Sequence, residues 1–155
     1  KVGSGQTTDW PFIRAVADAG KPVILSTGMA RVLEIERAER MLKDAIACTL
    51  QCTTEYPCPA EHIGLNQLTD SKFEGLSDHS GTIYPGICAA YLGAKMVEVH
   101  VCWDRRQFGA DVGSSLTIDE LSQLVEGIRF ATAMRQNPVC KNRILKELDD
   151  TQVYI

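Results

Sequence analysis

The sequence lacks the features that would place it in a membrane or on the common nucleotide-binding scaffolds. No apolar run approaches the roughly 20 residues of a membrane span, and no segment resembles a signal peptide. No G-x-G-x-x-G or Walker sequence is present, which removes the usual dinucleotide and P-loop interpretations. The six cysteines form no C-x-x-C pair, and several fall in apolar patterns where a thiol packs as a small hydrophobe. We therefore expect a reduced, cytoplasmic protein without a membrane partner, with disulfide pairing as the lesser alternative.

What is present describes an ordinary globular chain. A length of 155 residues corresponds to about one domain. Hydrophobic residues make up 45% and charged residues 23%, which is typical of globular proteins. The net charge of −4 and the pI near 5.4 argue against nucleic acid as a partner. The chain opens without Met, on Lys1-Val2-Gly3-Ser4, in a pattern typical of the end of a strand. We therefore expect a piece of a longer polypeptide.

Short apolar runs alternate with helical patterns along the chain. A capping Asp9 before Trp10-Pro11 predicts a helix that Gly20 ends. A capping box from Thr117 to Glu120 opens the clearest amphipathic helix, which stops at Pro138. Between these two helices the pattern predicts strand 23–25, helix 32–43, strand 46–51, helix 65–73, strand 74–79, helix 82–92 and strand 95–101. Residues 138–155 are predicted only as a tail or linker.

The alternation predicts the fold class. Counted with a strand stub at Lys1, five strands alternate with helices, which indicates an α/β fold with a parallel sheet. Two architectures compete, an open doubly wound sheet and part of an eight-fold barrel. A barrel places its active site at the C-terminal ends of all its strands, whereas an open sheet concentrates its site at one switch point. Polar residues follow every predicted strand, which favours the barrel: Ser4, Ser26, Thr53, Ser77, His79 and His100.

Two of the three histidines end strands that are joined through a single helix. Strands connected in this way lie parallel, so His79 and His100 are expected at the same edge of the sheet. Imidazole suits first-row transition metals, so the pair is a candidate metal site. His62, by contrast, is expected on the surface of a loop.

Six segments of the chain resemble the sialic acid synthase family: KVGSG, PVILSTGM, LQCTTEYP, GLSDH, LGAKMVEVHV and SLTIDEL, in this order. Members of this family condense phosphoenolpyruvate (PEP) with N-acetylmannosamine, its phosphate, or sugars leading to legionaminic or pseudaminic acid. The resemblance covers residues 1 to about 131. It implies a (β/α)8 barrel followed by a small antifreeze-like domain. Residues 1–137 would then be the C-terminal five-strand portion of the barrel, strands four to eight, without the first three strands or the C-terminal domain.

The resemblance also implies a metal-assisted reaction. In the family, the histidines corresponding to His79 and His100 hold a divalent metal, usually Mn²⁺, with Mg²⁺ or Co²⁺ as alternatives. The metal polarises the sugar aldehyde, the PEP methylene carbon attacks it, water adds to the resulting cation, and phosphate leaves by C–O cleavage. The resemblance further implies that the full-length protein is a homodimer, with PEP and an amino sugar as its small-molecule partners.

Further site residues follow from the same resemblance. It implies that PEP is bound by four residues, Lys1, Ser4, Ser26 and Ser77. Thr54 and Tyr56 match positions that line the PEP and sugar pocket, and Asp111 matches an aspartate that binds sugar hydroxyls. Glu98 matches an acid beside the metal, which makes it a catalytic candidate together with the histidines. The chain departs from the family before Asp111, where it reads Gln-Phe-Gly-Ala-Asp instead of proline-glycine-proline-aspartate.

Simpler interpretations remain open for several of these residues. Tyr56 beside Pro57 could brace a loop, and Asp111 could serve as a turn residue. Asp78 is interpreted as a structural acceptor, and Arg105-Arg106 as solvated surface. At the level of function, a metal-dependent aldolase or hydrolase on the same barrel is the competing enzyme class. A catalytically incomplete fragment is the third alternative, because the family draws a further lysine and a glutamate from the missing strands.

Overall fold

The computed structural model describes residues 1–69, 72–144 and 146. Its centre is a five-stranded sheet in which every pair of neighbours is parallel and the strands follow one another in chain order. The strands are β1 (Val23–Ser26), β2 (Ile46–Cys52), β3 (Gly75–Asp78), β4 (Met96–Val101) and β5 (Ser115–Leu116). The helices are α1 (Trp10–Asp18), α2 (Val32–Leu42), α3 (Tyr84–Leu92) and α4 (Ile118–Gln136). The predicted class, α/β with parallel (β/α) repeats as in part of a barrel, is confirmed.

The helix ends follow the predicted capping chemistry. Asp9 accepts a hydrogen bond from the Phe12 amide at 3.1 Å and so begins α1. At the start of α4, the Thr117 amide donates to the Glu120 carboxylate at 2.7 Å, and the Glu120 amide donates to the Thr117 hydroxyl at 3.3 Å. The reciprocal pair satisfies two backbone donors that a helix terminus otherwise leaves unpaired. Both predicted helix starts are confirmed.

The core lies between the sheet and the helices in two apolar clusters. One cluster joins α1, α2 and the first strands through residues such as Ile13, Leu25 and Ala38. The other packs Leu76 of β3 and Ala89 of α3 against the loop before β3. Burying an aliphatic side chain fully stabilises the fold by about 1.5–3 kcal/mol. These two clusters therefore stabilise the sheet, and the polar residues lie at the C-terminal ends of its strands.

One predicted strand is absent from the structure, and one strand of the structure was not predicted. The stub at Lys1 is not a strand but an isolated parallel bridge, in which the Val2 amide donates to Ile24 O at 2.9 Å. The strand β5 lies between predicted strand 95–101 and the helix that begins after Thr117, where the sequence pattern predicts no strand. Two residues beginning with a serine show neither alternation nor an apolar run, so periodicity cannot detect such a strand.

The helix predicted over residues 65–73 is also wrong. The chain forms a 3-10 turn over Leu65–Leu68 instead, preceded by Gly64 in the left-handed region at φ 72°. The Thr69 hydroxyl donates to Asn66 O at 2.6 Å and so satisfies a carbonyl at the end of this turn. Residues 70 and 71 lie outside the described residues.

The predicted tail falls mostly outside the described residues as well. Residues 141–144 are helical, and the Ile144 amide donates to Cys140 O at 3.2 Å.

The six cysteines are free thiols, and four of them are buried. Within the described ranges, no helix is long and apolar enough to cross a membrane.

Candidate active site

Strand register brings side chains from three strands into one row at the C-terminal edge of the sheet. Cys52 of β2 pairs with Ser77 of β3, and Ser77 in turn pairs with Glu98 of β4. Residues in register on parallel strands point to the same face of the sheet. The row is therefore a consequence of backbone pairing, and the flanking loops add the remaining groups to it.

A cluster of hydroxyl and thiol groups lies at one end of the row. Ser4 Oγ is 3.0 Å from Ser26 Oγ and 3.3 Å from Cys52 Sγ. Burial alone would raise the pKa of Cys52, but hydrogen bonds from His79, Ser26 and Ser4 outweigh burial and lower it from 9.0 to about 6. Several small donors thus face a group that carries negative charge near neutral pH, which is the behaviour expected of an anion-binding environment.

Gly28 keeps this cluster open. A methyl group at this position would lie 2.7 Å from Cys52 Sγ and 3.1 Å from Ser4 Oγ, and would collide with the hydroxyl of Thr54. Thr54 is itself exposed and reaches the cluster from the loop after β2. The small residue in Ser26-Thr27-Gly28 therefore leaves space next to three polar side chains.

Glu98 joins a cation to a hydroxyl at the other end of the row. Lys1 Nζ lies 2.5 Å from Glu98 Oε1, and the Ser77 hydroxyl donates to the same oxygen at 2.7 Å. Burial alone would raise the pKa of Glu98, but the hydrogen bonds from Lys1 and Ser77 outweigh burial and hold it below its ordinary value. Glu98 is therefore a carboxylate at neutral pH, able to accept a proton.

His79 is held by both ring nitrogens. Its Nδ1 lies 2.9 Å from Thr53 O and 3.9 Å from Cys52 Sγ, and its Nε2 lies 3.1 Å from the Tyr56 hydroxyl. A backbone carbonyl only accepts, so the Nδ1 proton points to Thr53 and Nε2 carries the lone pair of the neutral ring. Burial alone would lower the pKa of His79, but hydrogen bonds to Cys52 and Thr53 outweigh burial and raise it.

His100 completes an aromatic group with His79 and Tyr56. The centroids of the two imidazole rings are 5.2 Å apart, and Tyr56 lies 4.3 Å from His79 and 5.7 Å from His100. His100 Nδ1 is 3.7 Å from Asp111 Oδ2. The carboxylate of Asp111 thus approaches the histidine pair from the loop before β5.

The histidine pair fits a divalent metal as two ligands of a larger coordination shell. A bond of about 2.1 Å from each nitrogen to one ion places the ring centres roughly 4.5–5.2 Å apart for angles between about 90° and 110°. The observed separation of 5.2 Å lies at the upper end of this interval. The Nδ1–H bond of His79 to a backbone carbonyl is the orientation that metal-bound histidines adopt. Among the described residues, no three His, Cys, Asp or Glu side chains form a metal-binding group, so water or substrate would supply the other ligands.

The structure brings the sequence-predicted site residues to one edge of the sheet, where hydrogen bonds and ion pairs join them into three groups. Lys1 and Ser77 meet at Glu98, His100 meets Asp111, and a third group links Ser4, Ser26, Cys52, His79 and Tyr56. Thr54 lies against this third group across the space beside Gly28. The roles of these residues stay predictions, whereas their proximity is a property of the fold.

Two interpretations from the sequence change. Cys52 is more than a packing residue, because its thiol contacts both Ser4 and His79. Its position as the last residue of β2 was the available signal. Arg105 is more than solvated surface, since its Nη2 donates to Gly81 O at 3.0 Å and to Glu120 at 2.8 Å. The contact joins the loop after His79 to the start of α4.

Other expectations agree with the geometry. Asp78 accepts from the amide of Ser80 at 3.0 Å and from its hydroxyl at 2.8 Å, as a structural acceptor does. His62 is exposed and pairs with Glu55, with Nδ1 2.7 Å from Oε2. Arg106 pairs with Asp104 on the surface.

With this site in place, comparison with known proteins gives the family. The sequence profile of the NeuB family matches residues 1–139, and the chain belongs to that family. N,N'-diacetyllegionaminic acid synthase of Campylobacter jejuni is 37% identical over 139 residues, covering 83% of this chain and 42% of the relative. Human N-acetylneuraminate-9-phosphate synthase is 32% identical over 146 residues, covering 89% of this chain and 41% of the relative.

A solved structure agrees with the sequence relatives. The N-acetylneuraminic acid (sialic acid) synthetase of Leptospira borgpetersenii, crystallised with citrate, superposes with a TM-score of 0.81 at 27% identity. The match covers 97% of this chain and 57% of that protein. The resemblance to sialic acid synthases is confirmed. The chain spans 41 to 42% of the length of these two curated relatives.

Proposed function

We propose that this chain forms part of a PEP-dependent synthase. The enzyme would join PEP to N-acetylmannosamine or a related amino sugar, giving a sialic-acid-type nonulosonic acid and phosphate. The observation that supports this most is the convergence of Lys1 and the serine hydroxyls with the histidine pair on one edge of the sheet. An anion site and a metal site side by side are what a condensation of PEP with an aldehyde requires.

PEP would occupy the polar row, which consists of Cys52, Ser77 and Glu98 with the neighbouring Lys1, Ser4 and Ser26. Lys1 supplies a positive charge, and the hydroxyls of Ser4, Ser26 and Ser77 supply donors to phosphate and carboxylate oxygens. Lys1 is paired with Glu98, and the serine hydroxyls bond one another or Glu98. PEP would therefore replace these contacts when it binds.

The reaction needs a proton acceptor close to the reacting carbons. The PEP methylene carbon forms a bond to the aldehyde carbon, whose oxygen takes a proton. Water then adds to the resulting cationic carbon and loses a proton, and the bond from that carbon to the phosphate oxygen breaks. Glu98, whose pKa is held below its ordinary value, is the carboxylate available to accept the proton of the water. Its negative charge also stabilises the developing cation.

His79 and His100 would hold the divalent metal, Mn²⁺ first and Mg²⁺ or Co²⁺ as alternatives. The bound metal would supply Lewis-acid polarisation of the sugar carbonyl. The Tyr56 ring borders both histidines, and Asp111 reaches them from the neighbouring loop. These two side chains, with Thr54, would therefore orient the sugar so that its aldehyde faces PEP.

Because the chain spans less than half of these two curated relatives, the complete activity belongs to the full-length protein. We propose that this protein is a cytoplasmic homodimer whose remaining residues contribute further PEP and sugar contacts. We propose that residues 1–155 alone are inactive.

The direct test is phosphate release by the full-length protein with PEP, Mn²⁺ and a panel of amino sugars, both free and phosphorylated. We expect release that needs PEP and a sugar together, with one nonulosonic acid formed per phosphate by mass spectrometry. Absence of release with every amino sugar would refute the proposal. Cleavage or hydrolysis of a sugar without PEP would instead support the metal-dependent aldolase or hydrolase.

A further inference from the structure

The hydroxyl of Tyr56 contacts Nε2 of His79, the ring nitrogen that faces the site. The oxygen is 3.1 Å from Nε2, while Nδ1 is 2.9 Å from the carbonyl of Thr53. In the neutral imidazole, the proton on Nδ1 is directed to that carbonyl, so Nε2 is the acceptor and Tyr56 is the donor. The only ring lone pair that could reach a ligand is therefore already engaged.

A metal ion would need this same lone pair. A neutral imidazole offers a single lone pair, which either accepts a hydrogen bond or coordinates a metal. The backbone fixes which nitrogen carries the proton, because moving the proton to Nε2 would leave the lone pair of Nδ1 against the carbonyl of Thr53, which is itself an acceptor. One of the two partners must leave when the other binds.

The phenol is the partner able to move. Tyr56 is 44% exposed, whereas His79 is only 5% exposed and its carbonyl accepts from the Cys58 amide at 2.9 Å. Within the described part of the chain, His79 is the only hydrogen-bond partner of the Tyr56 hydroxyl. Nothing else among these residues holds the hydroxyl in place once the contact to Nε2 is broken.

We propose that Tyr56 and the divalent metal compete for Nε2 of His79, so that metal binding displaces the phenol hydroxyl and releases it toward the sugar. The inference rests on the metal site of the proposed function and adds a coupling to it. The hydroxyl is occupied in the metal-free state and free to donate in the metal-bound state. Tyr56 thus makes its sugar contact conditional on the metal.

The affinity for Mn²⁺ tests the competition. Calorimetry at pH 8, which favours the neutral imidazole, would compare the metal-free full-length protein with Tyr56→Phe. Removing one hydrogen bond that metal binding must break tightens binding by about 2- to 10-fold. Tyr91→Phe, a change at an exposed tyrosine on α3, is the matched control and leaves the affinity unchanged. Unchanged or weaker binding in Tyr56→Phe would overturn the inference.

His79→Ala separates this inference from the proposed metal site. Loss of tight Mn²⁺ binding in His79→Ala, together with unchanged binding in Tyr56→Phe, refutes only the competition. Unchanged binding in His79→Ala refutes the metal site itself.

A spectroscopic readout is independent of the affinities. With ring-labelled tyrosine and diamagnetic Zn²⁺ as the probe, the Cζ resonance of Tyr56 shifts when metal is added, because its hydroxyl changes partner. The Tyr91 resonance stays in place. A Tyr56 resonance that does not move under saturating Zn²⁺ contradicts displacement.

Discussion

Gly81 is the position at which a single added methyl group should separate the two loops of the site. It follows His79 by two residues and has a φ of 70°. A Cβ atom there would lie 2.6 Å from Gly113 O and 3.2 Å from the Cα of Ser114. Both neighbours are backbone atoms, so neither can rotate away. The loop after β3 and the loop that carries Asp111 therefore meet at a contact only glycine permits.

The cost of Gly81→Ala has two parts. A non-glycine residue in the left-handed region costs about 1–2 kcal/mol. Overlap with the backbone of Gly113 and Ser114 adds about 1–3 kcal/mol, the usual cost of forcing extra atoms into a packed region. We expect the free energy of unfolding to fall by about 2–5 kcal/mol. Gly20→Ala is the matched control, since Gly20 has a similar φ of 61° and an added Cβ has nothing within 4 Å. It should lose only about 1–2 kcal/mol.

Urea unfolding of both variants and of the unaltered protein measures these differences. Gly81→Ala should be less stable than Gly20→Ala by about 1–3 kcal/mol, which is the overlap alone. Gly81→Ala should also weaken Mn²⁺ binding, because it displaces the segment next to His79, whereas Gly20→Ala should not. Equal unfolding free energies for the two variants would refute the inferred close approach of the loops.

Two further predictions concern the polar row. Glu98→Gln should destabilise the fold by at most about 1 kcal/mol, because the side chains of Lys1 and Glu98 are 38% and 32% exposed. If Glu98 accepts the proton of the water, the same substitution should lower kcat by about 100-fold or more. An unaltered kcat would contradict that role. In the metal-free protein, the Cys52 thiol should titrate near pH 6, against 9.0 for an ordinary thiol. Between these two pH values the folded state binds fewer protons than the unfolded state, so the free energy of unfolding rises with pH across that window. Ultraviolet thiolate absorbance and unfolding at several pH values check this prediction, and Cys52→Ser should flatten the slope; an ordinary thiol pKa or an unchanged slope would contradict it.

The parts of the fold that were predictable are those with a local physical signal. The strands Val23–Ser26 and Ile46–Cys52 are indicated by short runs rich in apolar residues, and the start of α4 is indicated by its capping box. Parallel (β/α) connectivity then places the residues after each strand at one edge, which is why His79 and His100 could be paired from the sequence. The prediction succeeded where one local pattern fixed both conformation and direction.

What could not be predicted depends on contacts between distant segments. Lys1 and Glu98 are 97 positions apart, and no local pattern pairs them. Cys52 ends a strand like any packing thiol, and only the folded chain shows its contact with Ser4, 48 positions away. A third case is Arg105, whose sequence resembles solvated surface until the loop folds back onto Gly81 O. Each of these contacts is decided by tertiary packing, which propensity and periodicity do not encode.

The central claim, condensation of PEP by carbon–oxygen cleavage, is tested most directly with PEP labelled with ¹⁸O in its bridging oxygen. Full-length protein would be incubated with the labelled PEP, Mn²⁺ and the amino sugar that gives phosphate release, and both products analysed by mass spectrometry. The label should appear in the released phosphate, with an unlabelled nonulosonic acid. Label retained in the sugar acid, or no turnover with any amino sugar, would contradict the proposed reaction.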